Sequence, residues 1–426
     1  IGDRGQVAEV AHAGINGRGG FFAAPDPQSL TQGLQSALSA VYDRISSSSN
    51  IAVNLSSISS ETLVFQPRYT PGQWTGELLA YPITPNGLGN LKWSASIPAA
   101  DSRRIFTSNN GQGVEFKWNA LNKTQQSALQ TEDRVNYLRG NQSKEIKNKG
   151  NLRNRPSLLG DIIHSSPVYV DNQQSGNSRA QTVFVGANDG MLHAFDATNG
   201  REVFAYVPNA VITPTLATLA NPGYVHRYFV DGPINVTGPN LTPGKNILVA
   251  SLGYGGKALF ALDVTNPKTF NASNVKWEFS NDPDLGLVIG EFILAKTNDG
   301  KTAVIFGNGY NSTNERAVLF VVDLDTGALI KKIDTGVGPS NGLSAVRAWD
   351  NDGNGTFDYI YGGDLKGNFW KFDLSSKDPN QWDVAFKQGN TNIPLLQAQD
   401  KNGKAQPITA RASIGANPAD GSLWIF

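Results

Sequence analysis

The run VFVGANDGMLHAFDATNGREVFAYVP, Val183 to Pro208, decides the fold. A β-branched and aromatic stretch closes on Gly186, a polar Asn188-Asp189-Gly190 turn follows, and a second such stretch closes on Asp196 before another Gly-containing turn. The same order returns in ILVASLGYGGKALFALDVTNP from Ile247, in AVIFGNGYNSTNERAVLFVVDLDTGALIKKID from Ala303, and in YIYGGDLKGNFWKFDL from Tyr359. LVFQPRYTPGQWTGELLAYPI from Leu63 has the same two-strand rhythm, with Trp74-Thr75-Gly76 at its turn. A repeat of this length is one small sheet that cannot cover its own faces, so the sheets must stack on one another. The fold class is therefore all-β, a modified β-propeller with short helical insertions.

Working outward, the aspartates that close the second strand of each unit are Asp196, Asp263, Asp323 and Asp373. A carboxylate ahead of a Thr/Asn-Gly turn accepts backbone N–H bonds and pins it, so these residues are structural. Phe116 to Gly140 interrupts the array with helical spacing of Leu121, Leu129, Val135 and Leu138, and reads as a helical insertion on the rim. Residues 21–45 predict a further helix, with Asp26 as N-cap, Pro27 in the first turn and Leu30, Leu34, Ala37, Leu38 and Val41 as its apolar stripe. The polar run Ser46–Asn50 follows it, so the chain divides into residues 1–48 and a propeller over 49–426.

Composition agrees with many short strands joined by turns: 45 Gly, 22 Pro, 20 Phe, 12 Tyr and 8 Trp, with only 17% charged residues. Thirty-six basic and 36 acidic residues cancel, which removes the field that would draw nucleic acid or an anionic membrane. The absence of Cys excludes disulfides and thiolate metal sites and says nothing about compartment. No apolar run is long enough to span a membrane. The opening residues IGDRGQVAEV do not form a signal peptide, and the closing run LWIF is strand-like, so both ends are expected to be cut.

One motif carries chemistry. DNDGNGTFD, residues 350–358, places Asp350, Asp352, Asn354 and Asp358 at alternate positions, with Thr356 able to offer its backbone carbonyl. Calcium takes six to eight hard oxygen ligands, and a tight loop turns every second residue toward one ion. Gly353 and Gly355 permit the positive φ that such wrapping needs. The spacing follows the first nine positions of an EF-hand loop, but position twelve is Tyr361 and Tyr359-Ile360-Tyr361 continues as a strand. The expectation is a shortened calcium loop set into a blade, completed by water or another residue. The competing reading is an Asp/Asn/Gly-rich hairpin turn without metal, in which three converging carboxylates would repel one another.

Other candidates are weaker. His12, His164, His193 and His226 are scattered and read as singly satisfied polar side chains. Asn281-Asp282-Pro283-Asp284 is explained by a turn, and Asp161-Ile-Ile-His164-Ser-Ser166, though it holds an acid, a base and a nucleophile, reads as a strand edge. The Gly-rich GANDG and GNGYN turns lack the following helix and Lys of a phosphate loop. No catalytic or cofactor-binding residue is assigned.

Leu159-Gly-Asp-Ile-Ile-His-Ser-Ser-Pro167, Val185–Asp196, Ile305-Phe-Gly-Asn-Gly-Tyr310 and the loop 350–358, taken in order, resemble the C-terminal domain of the PilC/PilY family over roughly residues 50–426. Members are type IV pilus biogenesis factors and tip-associated adhesins. The resemblance implies quinoprotein alcohol dehydrogenase-like blades, seven in number, and a residual von Willebrand A-like tail over residues 1–48. It also implies one Ca2+ held by Asp350, Asp352, Asn354, Thr356 and Asp358, regulating pilus extension against retraction. The implied setting is the cell surface or the pilus (fimbrium), outer membrane-associated or extracellular. The implied partners are minor pilins and a host-cell surface receptor, with roles in cell adhesion, twitching motility and virulence, and with no small-molecule substrate. Some members carry an Arg-Gly-Asp tripeptide; here the nearest triplet is Arg139-Gly140-Asn141. The alternative is a quinoprotein (PQQ)-type dehydrogenase, whose blades are similar and whose calcium touches its cofactor.

Overall fold

The computed structural model describes residues 52–53, 63–84, 87–171, 179–417, 420 and 422–426. The helix expected over residues 21–45, and with it the 1–48 unit, lies outside them.

Each repeat falls in a sheet of its own. The third sheet is an antiparallel meander of Ile234–Val236, Ile247–Ser251, Ala258–Asp263 and Val275–Ser280. The fourth follows with Ile293–Lys296, Thr302–Gly307, Val318–Asp323 and Leu329–Asp334. The fifth uses Leu343–Trp349, Tyr359–Asp364, Asn368–Asp373 and Asp383–Val384. The second sheet has the same core of Val168–Val170, Thr182–Ala187, Met191–Asp196 and Glu202–Val207, but Ile105–Asn109 adds to it in parallel beside Glu202–Val207. The first is built on the hairpin Leu63–Thr70 and Thr75–Thr84. The described residues thus form five sheets of four or more strands, fewer than the seven blades implied by the resemblance.

The apolar runs explain the stacking. Successive residues of a strand face opposite sides of its sheet, and here both sides are apolar. Leu248 and Ala250 pack with Phe184, Phe204 and Tyr206 of the second sheet. Their sequence neighbours Ile247 and Val249 pack with Val304, Phe306 and Phe320 of the fourth. The gaps between the first and second sheets and between the fourth and fifth are filled likewise, the latter by Ile305, Leu319, Ile360 and Phe372. The four pinning aspartates act as expected. Asp196, Asp263, Asp323 and Asp373 each accept a backbone N–H two residues on, from Thr198, Thr265, Asp325 and Ser375, at 2.9–3.0 Å.

Two of these pinned turns also receive an indole from the preceding sheet. Trp93 Nε1 donates to Ala197 O at 2.9 Å, and Trp277 Nε1 donates to Leu324 O at 2.8 Å. The ring lies on the turn glycine: a Cβ on Gly200 would come within 2.5 Å of Trp93, and one on Gly327 within 2.6 Å of Trp277. The insertion expected over Phe116–Gly140 is two short helices, Lys123–Leu129 and Glu132–Leu138, N-capped by Asn122 and Thr131. Leu121, Leu129, Val135 and Leu138 are all buried in the cluster between the second and third sheets, so the insertion read as a rim feature contributes to the core.

The clamp at Gly327 is testable against a glycine with the same backbone strain and no neighbour. Gly336 has φ +80 and nothing within 4 Å of its would-be Cβ, whereas Gly327 at φ +72 faces Trp277. Gly336→Ala should lower unfolding free energy in urea by about 1 kcal/mol, the cost of a left-handed L-residue, and Gly327→Ala by roughly 2 kcal/mol more, the cost of overpacking. Equal losses would remove the indole from the account.

Candidate metal centre

The loop 350–358 joins the first two strands of the fifth sheet, with Trp349 paired opposite Tyr359 at its base. It is a hairpin loop with strand on both sides, as the sequence predicts. Gly353 and Gly355 take φ +74 and +86 with open space around them, so their role is backbone freedom alone. The chain folds back on its own carboxylates. Gly353 N and Gly355 N donate to the two oxygens of Asp350 at 2.8 Å each, Asn354 N to Asp352 at 3.1 Å, and Thr356 N to Asn354 Oδ1 at 2.7 Å. Asn351 N donates to Asp358 Oδ2 at 2.8 Å.

These bonds turn alternate side chains to one point. Carboxylate oxygens of Asp350, Asp352 and Asp358 lie within 4.8 Å of one another, and among the described residues no other group of three or more His, Cys, Asp or Glu is so placed. Asp358 is buried and Asp352 and Asn354 are exposed, so the site has a closed floor and an open mouth. Slight burial pushes the Asp350 carboxyl up, but the N–H groups of Gly355 and Gly353 outweigh this and hold it below its ordinary value. Three oxyanions with no His or Cys among them form a set that a hard divalent cation could take, while the Asn354 amide meets Asp352 through Nδ2 at 2.8 Å and its Oδ1 accepts from Thr356 N.

One contributor was not legible in the sequence. Asn298 stands in the fourth sheet, between Ile293–Lys296 and Thr302–Gly307, yet its Nδ2 donates to Asp358 Oδ1 at 3.0 Å and its Oδ1 accepts from Thr356 Oγ1 at 2.9 Å. The available signal was positional: Thr297-Asn298-Asp299-Gly300 is the hairpin tip equivalent to the acidic loop, one blade earlier.

The other candidates are satisfied structurally. His164 pairs with Asp231 at 2.6 Å and His226 with Asp161 at 2.8 Å, while His12 lies outside the described residues. The Asp161–Ser166 stretch is a loop leading into Val168–Val170 instead of a strand edge, and its acid and base are paired elsewhere, so no triad forms. Asp282 and Asp284 are both answered by Lys332, at 3.3 and 2.7 Å. His193 is fully buried between Asp189 and Glu202, and Glu202 takes Arg103 at 2.7 Å.

Residues 156–426 match the family model described as the PilY1 beta-propeller domain. The chain belongs to this family. A type IV pilus biogenesis factor PilY1 homolog of Xylella fastidiosa (strain Temecula1) is 37% identical over 97% of the chain and 34% of its own length. The type IV pilus biogenesis factor PilY1 of Pseudomonas aeruginosa (strain PAK) is 36% identical over 99% of the chain and 42% of its own length. The chain therefore spans a third to two fifths of the curated PilY1 relatives it matches. The crystal structure of the Pseudomonas aeruginosa PilY1 C-terminal domain aligns with a TM-score of 0.48 at 36% identity, over 58% of this chain and 52% of that one. Among the described residues no helix is long and apolar enough to cross a membrane.

Burial pushes His193 down, but Asp189 and Glu202 outweigh it and raise it to about 9. A histidine raised from 6.5 in the folded state stabilises fully below 6.5, and the contribution is lost as pH climbs through 9. The urea midpoint should fall from pH 6.5 to 9 in the native chain and fall less in His193→Gln; parallel curves would mean the imidazole is uncharged. Calcium should bind with one-to-one stoichiometry in calorimetry, and Asp350→Ala or Asp358→Ala should weaken it by more than about tenfold. Chelator should leave the far-ultraviolet circular dichroism nearly unchanged, because the ion ties one turn and the inter-sheet core holds the fold. Unchanged affinity in both variants would remove the site, and global unfolding in chelator would make the metal a folding cofactor.

Proposed function

We propose that this chain is the calcium-binding propeller of a type IV pilus biogenesis factor, acting at the cell surface or on the pilus. On this reading it regulates pilus extension against retraction, with minor pilins and a host-cell receptor as partners, and supports twitching motility and adhesion. The observation that carries the reading is the convergence of Asp350, Asp352 and Asp358 in a hairpin loop of a PilY1-family propeller. On this reading those carboxylates, Asn354 Oδ1 and the Thr356 carbonyl would hold the ion. The names of the curated relatives support the biogenesis role.

The reading is non-enzymatic. A quinone-dependent dehydrogenase needs its calcium facing a cofactor in the central cavity, whereas this loop supplies its ligands consecutively and opens to solvent at Asp352 and Asn354. Occupancy acts as a switch only if the ion has different affinities for two conformations or assembly states, since equal affinity shifts neither. An ion held there would offset two of the three negative charges of Asp350, Asp352 and Asp358. A lysine at 358 brings a positive charge to the same place, and alanine does not.

Asp358→Lys should therefore behave as calcium-bound and keep surface pili, while Asp358→Ala should leave them sparse when the retraction motor is active. Sheared surface pilin, compared with and without the motor, reads the difference. Equal piliation of native chain and both variants with the motor intact would reduce the site to a structural one.

A further inference from the structure

We infer that Asn298 is a positioning residue that carries the calcium site across the gap between the fourth and fifth sheets, so that occupancy sets how firmly those two blades are held. The inference rests on the calcium reading above and adds its route into the fold.

Two halves of the loop differ in what they touch. In the exposed half, the bonds of Asp350, Asp352 and Asn354 stay within the loop. At the buried end, residues 356–358 are tied to the neighbouring blade. Asn298 Nδ2 donates to Asp358 Oδ1 at 3.0 Å and to Leu374 O at 3.1 Å, and Asn298 Oδ1 lies 2.9 Å from Thr356 Oγ1, whose one proton it shares with Asn354 Oδ1 at 2.5 Å. The backbone adds Phe357 N to Lys296 O at 3.2 Å, and the Phe357 ring packs against the apolar cluster shared by the two sheets. One amide thus grips both ligand residues at the floor of the site.

The chemistry suits the task. A neutral amide donor fixes one oxygen of Asp358 without cancelling its charge, which stays available to the cation; Asn351 N fixes the other at 2.8 Å. Each carboxylate oxygen has a second acceptor direction for the ion. Partners of this kind around metal ligands are worth about 10- to 100-fold in affinity. Coupling is reciprocal: if the clamp raises calcium affinity, calcium tightens the clamp by the same factor.

Hydrogen exchange of the chain with and without calcium, together with calorimetry of Asn298→Ala and Asn298→Ser, tests this. In the native chain calcium should slow amide exchange at 350–358 and also at 297–301 of the other blade. Asn298→Ala should bind roughly 10- to 100-fold more weakly, with protection kept at 350–358 under saturating calcium and lost at 297–301; Asn298→Ser should fall between. The native arm needs no substitution. Protection confined to 350–358 would overturn the inference and leave the calcium site standing, as would native affinity in Asn298→Ala. Absence of any calcium-dependent protection would overturn both.

Discussion

A sheet that is apolar on both faces has no stable existence alone, and this requirement governs the molecule. Phe184, Leu248 and Val304 each sit in a strand whose neighbouring residues point the other way into a second apolar layer. Burial then compels the sheets to stack face to face, and among the described residues they succeed one another in chain order. Burial is non-directional, however, and does not by itself set how one sheet is rotated on the next. Directional groups do that: Trp93 and Trp277 each reach the pinned turn of the following sheet with one N–H, over a glycine that leaves room for the ring.

The acidic loop obeys the same logic with polar groups. Its position at a hairpin tip leaves it free to collect negative charge without disturbing the apolar layers. Its floor residue Asp358 nonetheless meets the fourth sheet through Asn298, where the preceding gap uses an indole. A cation in the loop would act on an inter-blade contact and not merely on a surface turn. This is the physical reason an ion occupying nine residues can matter to a chain of 426.

What the sequence disclosed was local. The strand–turn–strand rhythm, the four pinning aspartates, the strand after the loop and the apolar spacing of Leu121, Leu129, Val135 and Leu138 all depend on residues a few positions apart, and each is found as read. The alternating oxygens of residues 350–358 were legible for the same reason. What escaped was non-local. Trp277 meets Leu324, Asn298 meets Asp358 and Ile105–Asn109 pairs in parallel with Glu202–Val207, and none of these separations has a periodicity to betray it. The Asp161–Ser166 stretch, read as a strand edge, is instead a loop whose acid and base are held by the distant His226 and Asp231, partners that no local pattern announces.

The central claim is that the convergence of carboxylates in this loop is a cation site. A crystal structure of the chain grown with a calcium-mimicking lanthanide, read by anomalous scattering, tests it most directly. The account predicts one strong peak at about 2.3–2.6 Å from oxygens of Asp350, Asp352, Asn354, Asp358 and the Thr356 carbonyl, with Asn298 still bonded to Asp358. A loop without a peak, its carboxylates satisfied only by backbone N–H groups and water, would contradict it.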